Sequence, residues 1–462
     1  MIAVFFAGLR MNIIQINKGR DIPLSGAAER KKVLCALPPV VAVQPPDFYG
    51  LRLIPVVKPG DSVQVGSPLL EHKDDRRVKI VSPASGAVAD IIRGDKRALL
   101  AITVRCDGKQ SALSFPKTPA AEVKHLAPDA VIGQMLSAGV WPCVRQRPFA
   151  KIAEPGSRPK SIFVQAHMTD PLSPDLDFVL EGQEARFHAG LEILKRLTPG
   201  TVFVCCPPSA RSRAIQEASG VSVVGFAGPH PAGNVSTFIH HLDPVQKGDV
   251  VWYIGAEDVC RIADLFLEGR FNPRRTVAVT GEGALSRVYG QTVLGAPIRH
   301  LLTGALLESS RYISGSVLRG TDVGLDGYVC FYDQQVTVLP LGGKREFLGW
   351  LRPGWNKYSF SRTFLSSLPR RGTEALFSLD TDRHGGQRAI VLNHLYDGYV
   401  ALDVLTYFLV RAIVSGDLEE AQRLGLLECA DEDFALCAFA CPSKFDVGGV
   451  IREGLKLIET EG

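Results

Sequence analysis

IPVVKPGDSVQVGSPLLEHK at residues 54–73 and VKIVSPASGAVADIIRGDKR at residues 78–97 are two matched half-motifs. Each is an alternating apolar strand that reverses at a Gly-Asp or Ser-Gly corner. In the first, Val56, Val57, Val63 and Val65 flank Pro59, Gly60 and Asp61; in the second, Ile80, Val81, Val88, Ile91 and Ile92 flank Pro83, Ala84, Ser85 and Gly86. β-Branched residues suit a pleated surface, and Pro, Gly and Asp set tight reversals. The pair predicts a barrel-sandwich domain, the biotinyl/lipoyl-like scaffold on which carrier lysines are displayed. The lysine at the tip between the halves is Lys73, within EHKDDRR. That tip is crowded with charge and long for a tight hairpin, so Lys73 reads as a solvated loop residue rather than an acylated carrier.

Outward from this stretch, 462 residues are too many for one core, and the length prior gives roughly three or four domains. The balance of 52 basic against 48 acidic residues leaves +4, which excludes a broad nucleic-acid-binding field. Ten irregularly spaced cysteines lack the pattern of a secreted disulfide framework and read as buried, reduced thiols. Residues 1–10 are apolar but too short to span a bilayer and carry no basic flank or cleavage site. They read as an N-terminal extension, residues 1–11, arising from an upstream start or forming a short extra strand. Residues 399–414 are the most apolar later segment, yet contain Asp403 and Arg411. Leu402, Leu405, Leu409 and Ile413 fall at helical spacing, which predicts a core helix and not a membrane span.

The remaining rhythm divides the chain. The barrel-sandwich domain is expected over residues 12–120. Residues 121–270 alternate helix and strand: a short helix at 129–138 closed by Gly139, strands at 161–166, 201–205, 221–226 and 250–254, and helices at 183–198 and 257–267. Such alternation predicts a Rossmann-like, helix-covered parallel sheet. Residues 271–345 run strand pair, helical turn, strand, a β-grasp (SLBB-like) order. An aromatic and basic connecting segment at 346–396 leads to a helical domain at 397–462, with Asp417 capping one helix and Ser443 the last. The fold class is multidomain α+β and α/β.

Four stretches bear on chemistry. Gly281, Glu282 and Gly283 after a strand imitate a dinucleotide fingerprint, but Ser286 holds the third glycine's place and strand, not helix, follows; a turn is expected. Cys437 and Cys441 with Cys429 nearby lack the remaining spacing of an iron–sulfur site and read as thiols facing a helical core. The loop GPHPAGNVSTFIHH, residues 228–241, follows a strand of the Rossmann-like layer, where ligands bind; its His230, Gly233 and His240 are candidate contacts for a small molecule or partner, without partners for a metal. Residues 344–371 interleave Trp350, Trp355, Tyr358 and Phe360 with Lys344, Arg345, Arg352, Lys357, Arg362, Arg370 and Arg371. Rings that bury area beside cations that steer predict a docking face.

NKGRDIPLSGA (17–27), SPASGAVADIIRGDKR (82–97), GVWPCVRQRPFAKI (139–152), GPHPAG (228–233), ISGSVLRG (313–320), GWLRPGWNKYSFSRT (349–363) and LCAFACPSKFDVGG (436–449) occur in one order. Together they closely resemble the NqrA family, the peripheral subunits of the sodium-translocating NADH:quinone reductases, bacterial respiratory sodium pumps, from about Met11 to the end. The resemblance implies a place on the cytoplasmic face of the inner membrane, in a complex that couples NADH oxidation and ubiquinone reduction to sodium export. Related flavin-binding subunits carry a glycine-rich loop where this chain has GVWPCVRQRPF (139–149). Trp141, Arg145, Arg147 and Phe149 replace glycines that would let backbone approach a phosphate, so no cofactor is expected on this chain. FMN, FAD, riboflavin and a [2Fe-2S] cluster are then expected in partner subunits. The resemblance makes NqrB, the quinone-reducing integral membrane component, the chief docking partner, and quinone the candidate ligand here. The family's Thr-His-Ile-His appears as Thr237, Phe238, Ile239 and His240, which removes any role of the first histidine. The competing expectation is a stand-alone flavin- or nucleotide-dependent oxidoreductase.

Overall fold

A computed structural model describes residues 2–6, 9–304, 309–343, 346–368, 376–391 and 394–461. The two half-motifs fold into a sandwich. One sheet orders Val40–Val43, Leu99–Cys106, Gly86–Arg93 and Ser62–Val63; the other orders Leu53–Pro55, Pro68–His72 and Lys79–Val81. Val63, Val65, Ile80, Val81 and Val88 are buried between them. Val56 and Ile92 are exposed instead, because the first strand ends at Pro55 and the second hairpin runs on past the sandwich. The Gly60 amide donates to the Val88 carbonyl at 2.8 Å and the Val88 amide to that of Asp61, so the first corner is laced to the opposite half. Lys73 is exposed, its amide donating to the Arg52 carbonyl.

The second layer is an eight-stranded sheet in the order Ile2–Phe6, Leu9–Gln15, Ser222–Ala227, Val202–Cys206, Ile162–Gln165, Val251–Gly255, Arg145–Arg147, Lys151–Ile152. Its centre is parallel, and its strands read as near-continuous apolar runs because helices cover them. The strand legible at residues 12–16 joins this layer, pairing parallel with Ser222–Ala227, and not the barrel that follows it in sequence. Phe187, Leu191 and Leu194 form the buried face of the helix Glu184–Leu194, which packs on Ala256–Glu268. Gly139 ends the helix Pro128–Ser137 with φ +67; a Cβ there would lie 2.2 Å from Val81, so glycine serves both the left-handed turn and the barrel contact. Barrel and α/β layer thereby share one core.

The third sheet orders Thr321–Asp322, Ser310–Ser314, Gln335–Pro340, Arg274–Thr280, Tyr289–Val293 and Lys32–Leu34. Gly281 and Glu282 turn between two of its strands, with the Gly281 amide on the Gly26 carbonyl at 2.8 Å and the Glu282 carboxylate on Ser25. The strand Tyr289–Val293 follows, as the turn expectation requires. The last helices are Thr406–Ser415, Leu418–Arg423, Ala435–Ala440 and Val447–Glu461. Asp417 caps as predicted, its carboxylate accepting from the Glu420 amide at 3.0 Å. Ser443 does not; Asp446 accepts from the Gly449 amide at the start of the final helix. Leu402 and Leu405 precede the helix predicted to contain them, and Leu405 is exposed while Leu409 and Ile413 are buried. Cys429, Cys437 and Cys441 lie in this helical core, and the Tyr396 hydroxyl donates to the Cys441 sulfur at 2.9 Å. Among the described residues no helix is long and apolar enough to cross a membrane.

Candidate functional site

Alternation on a strand puts residues two apart on the same face, so the short strand Arg145–Arg147 presents two guanidinium groups side by side. It pairs antiparallel with Val251–Gly255, with Arg145 opposite Tyr253. Arg145 lies 4.5 Å from the Tyr253 ring centroid and 4.3 Å from that of Tyr332; Arg147 lies 5.1 Å from Tyr253. Desolvated cation–π contacts of this kind contribute about 2 kcal/mol each. The Tyr332 hydroxyl is held by the Pro142 carbonyl at 2.8 Å, which ties the β-grasp sheet to the turn before the strand.

Arg147 is 1% exposed, and a buried charge requires a partner. Its Nη2 donates to Glu432 Oε1 at 2.9 Å, while Arg319 Nη1 donates to Glu432 Oε2 at 2.6 Å. Arg319 Nε reaches Asp170 at 3.0 Å, and Ser316 donates to the same carboxylate. Asp433 accepts from Asn234 Nδ2 at 3.1 Å and from the Ala430 amide at 2.9 Å. Three layers therefore meet at one charge cluster: Arg145, Arg147, Asp170 and Asn234 from the α/β layer, Arg319 and Ser316 from the β-grasp sheet, and Glu432 and Asp433 from the helical end. Burial opposes the Glu432 carboxylate, but Arg319, Arg147 and Arg145 outweigh it and hold its pKa down at about 2. Burial, then the Glu432 charge, pushes Asp433 up to about 6. Arg147 Nε and Nη1 and Arg145 Nε have no hydrogen-bond partner among the described residues, so the cluster keeps unused donors.

The other expected residues fall in four places. His230 and Gly233 adjoin the cluster: His230 is buried with its Nδ1 3.1 Å from Thr169 Oγ1, the Gly233 amide donates to the same hydroxyl at 2.9 Å, and burial keeps the imidazole pKa below its usual range. Phe149 and His240 reach the helical end, Phe149 packing on its core and His240 Nδ1 lying 2.8 Å from Glu428. Trp141 is fully buried in the core, its indole donating to the Ala153 carbonyl at 2.8 Å and crossing Trp252 edge-on. Phe238, the residue in place of the first family histidine, is buried against Phe226.

Trp355, Lys357, Tyr358 and Arg362 lie on the connecting segment. Tyr358 packs on Phe377 and Phe439, and Phe360 on Tyr399, Phe439 and the Arg20 guanidinium. Lys357 is bonded to Glu346, and Arg362 is exposed. Trp355 is 56% exposed, Phe347 87%, Leu351 61% and Leu368 53%. Lys344, Arg345, Arg370, Arg371 and the Trp350 side chain lie outside the described residues. Missed from the sequence were Asp170, Tyr253, Arg319, Tyr332, Glu432 and Asp433. Among the described residues no three His, Cys, Asp or Glu side chains are grouped to hold a metal ion.

A sandwich, an α/β layer and a β-grasp sheet, the last two joined to the helical end by an internal charge cluster, define a multidomain α+β and α/β protein. Residues 14–107 match the NqrA N-terminal barrel-sandwich hybrid domain, residues 126–271 the NqrA second alpha/beta domain, and residues 276–324 the NQRA C-terminal domain. The NqrA chain of the Na(+)-translocating NADH-quinone reductase of Yersinia pestis is 38% identical over 454 residues, covering 97% of this chain and 100% of that protein. Its counterpart in Serratia proteamaculans is 39% identical over 453 residues, with the same coverage. A solved NAD+-reducing [NiFe]-hydrogenase is similar over 50% of this chain and 52% of its own, at 14% identity and a TM-score of 0.33. The chain belongs to the NqrA family of the Na(+)-translocating NADH-quinone reductases.

Proposed function

We propose that the chain is the peripheral subunit that joins the integral part of a sodium-pumping NADH:quinone oxidoreductase at the cytoplasmic face of the bacterial inner membrane. In this proposal it supplies architecture and a quinone contact, while NADH oxidation, the flavins and the [2Fe-2S] cluster belong to partner subunits. The observation that carries it is how the loop at residues 139–149 is used. Trp141, Cys143 and Val144 are buried in the shared core, Arg145 is engaged by two tyrosine rings, and Arg147 is bound to Glu432. Those side chains fill the space that a glycine-rich loop would leave open to a phosphate. The unused Arg147 and Arg145 donors support a carbonyl acceptor, as a quinone has, at the cluster.

Attachment is assigned to the connecting segment. Phe347, Leu351, Trp355 and Leu368 are exposed together with Arg352 and Arg362, a mixture suited to the membrane margin of an integral partner; we assign the integral component NqrB as the occupant. Co-purification of the chain with membranes carrying the integral subunits tests this. Recovery of the chain only when those subunits are present supports it; equal recovery with bare lipid vesicles overturns it.

A further inference from the structure

A cleft of about 470 Å³ opens between the N-terminal arm, the barrel, the helix Ala256–Glu268 and the strands Arg274–Thr280 and Tyr289–Val293. None of the candidate site residues read from the sequence lines it. Arg275 and Thr292 do, and they stand opposite each other in the ladder, so they share one face of the sheet. Arg275 is 2% exposed and Thr292 5%. The two outer nitrogens of Arg275 are taken by Glu257, Asp258 and the Phe331 carbonyl, but its Nε has no hydrogen-bond partner among the described residues, nor has Thr292 Oγ1. Gln110, on the barrel side, adds a buried Oε1 without a partner there and a backbone φ of +53.

Buried polar atoms are paired almost without exception, and each one left unmade costs about 1–3 kcal/mol. Three in one cleft, with a left-handed backbone at a residue that is not glycine, mark a place completed by something else. The charges around it are uneven. Asp264 and Glu268 are occupied by Arg186, Arg270 and Asn272, and Glu257 by Arg275 and Gln334. The exposed Arg274 guanidinium carries no ion pair among the described residues, whereas the Lys32 ammonium already donates to the Glu181 and Val179 carbonyls. Val65, Ala112 and Phe271 give the cleft an apolar stretch. The volume falls within the range of small-molecule sites.

We infer that this cleft binds a small organic anion of nucleoside-monophosphate size. Its phosphate sits at Arg274, its body lies on the apolar stretch, and its hydroxyl or amino groups satisfy Thr292 and Gln110. Isothermal titration of the purified full chain with adenosine monophosphate, adenosine and inorganic phosphate distinguishes the parts. The expected result is adenosine monophosphate bound at least about tenfold more tightly than either fragment. Arg274→Glu should weaken the nucleotide about tenfold or more and leave adenosine unchanged. Thr292→Val should weaken nucleotide and adenosine alike, while the unliganded variant melts no lower than the parent because an unpaired hydroxyl has been replaced by a methyl. No measurable nucleotide binding, binding no tighter than that of inorganic phosphate, or affinities indifferent to both substitutions would overturn the inference.

Discussion

Arg147 shows at a single residue why a charge is kept in this interior. Replacing it with methionine removes the partner of Glu432 from a dry environment, and breaking a buried pair costs about 3–5 kcal/mol. Chemical denaturation of Arg147→Met should show a loss of that size; a change below about 1 kcal/mol, the value of an exposed pair, would mean that Arg319 alone satisfies Glu432. Asp433 gives the matching pH effect. Its folded pKa of about 6 lies above that of an unfolded aspartate, so the native state binds the proton better. That contribution is fully present below the unfolded value, about pH 4, and is lost as pH rises through about 6, costing about 2–3 kcal/mol. Glu432 behaves oppositely: its contribution is lost as pH falls toward about 2, outside the Asp433 window. The stability difference between the parent and Asp433→Asn, measured at several pH values, should change across the Asp433 window; a flat difference would contradict this. Arg145 and Arg147 were legible because cations stand in a loop where the resemblance expects glycines, whereas Arg319 was not. The partner acids Glu432 and Asp433 were not, because a run of acidic residues carries no local signal of burial, and only tertiary packing encloses them.

At the scale of the element, the close approach of two helices is set by Gly190. It lies inside the helix Glu184–Leu194, where alanine ordinarily gains about 1 kcal/mol. A Cβ there would fall 2.3 Å from the Val259 carbonyl oxygen of the facing helix. Gly190→Ala should therefore destabilise, by about 1–3 kcal/mol as overpacking does; a raised melting temperature would show that the helices separate freely. Local chemistry carried most elements. The Asp417 cap, the Gly139 stop, and the strands Ile162–Gln165 and Val251–Gly255 follow from periodicity and turn residues. Pairing partners did not follow. The strands Leu9–Gln15 and Lys32–Leu34 precede the barrel yet complete the two other sheets, and nothing local distinguishes a strand that pairs with its neighbour from one that crosses to another layer. The Ser443 cap failed for a similar reason: Asp446, closer to the helix start, competes for the same amides.

For the whole molecule, the exposed Phe347, Leu351 and Trp355 should matter to assembly and not to folding. Phe347→Glu with Trp355→Glu should abolish recovery with membranes carrying the integral subunits, with stability changed by less than about 0.5 kcal/mol per site, as for exposed positions elsewhere. Retained membrane recovery would place the partner contact on another surface. The packed loop at residues 139–149 is the observation behind the proposal that the Rossmann-like layer serves as a frame. The most direct measurement is the visible absorption spectrum of the purified full-length chain, with its acid-extractable flavin and its oxidation of NADH. We expect absorbance from aromatic side chains alone, no stoichiometric flavin and no NADH oxidation without the partner subunits. A yellow protein that retains flavin and oxidises NADH by itself would contradict the assignment.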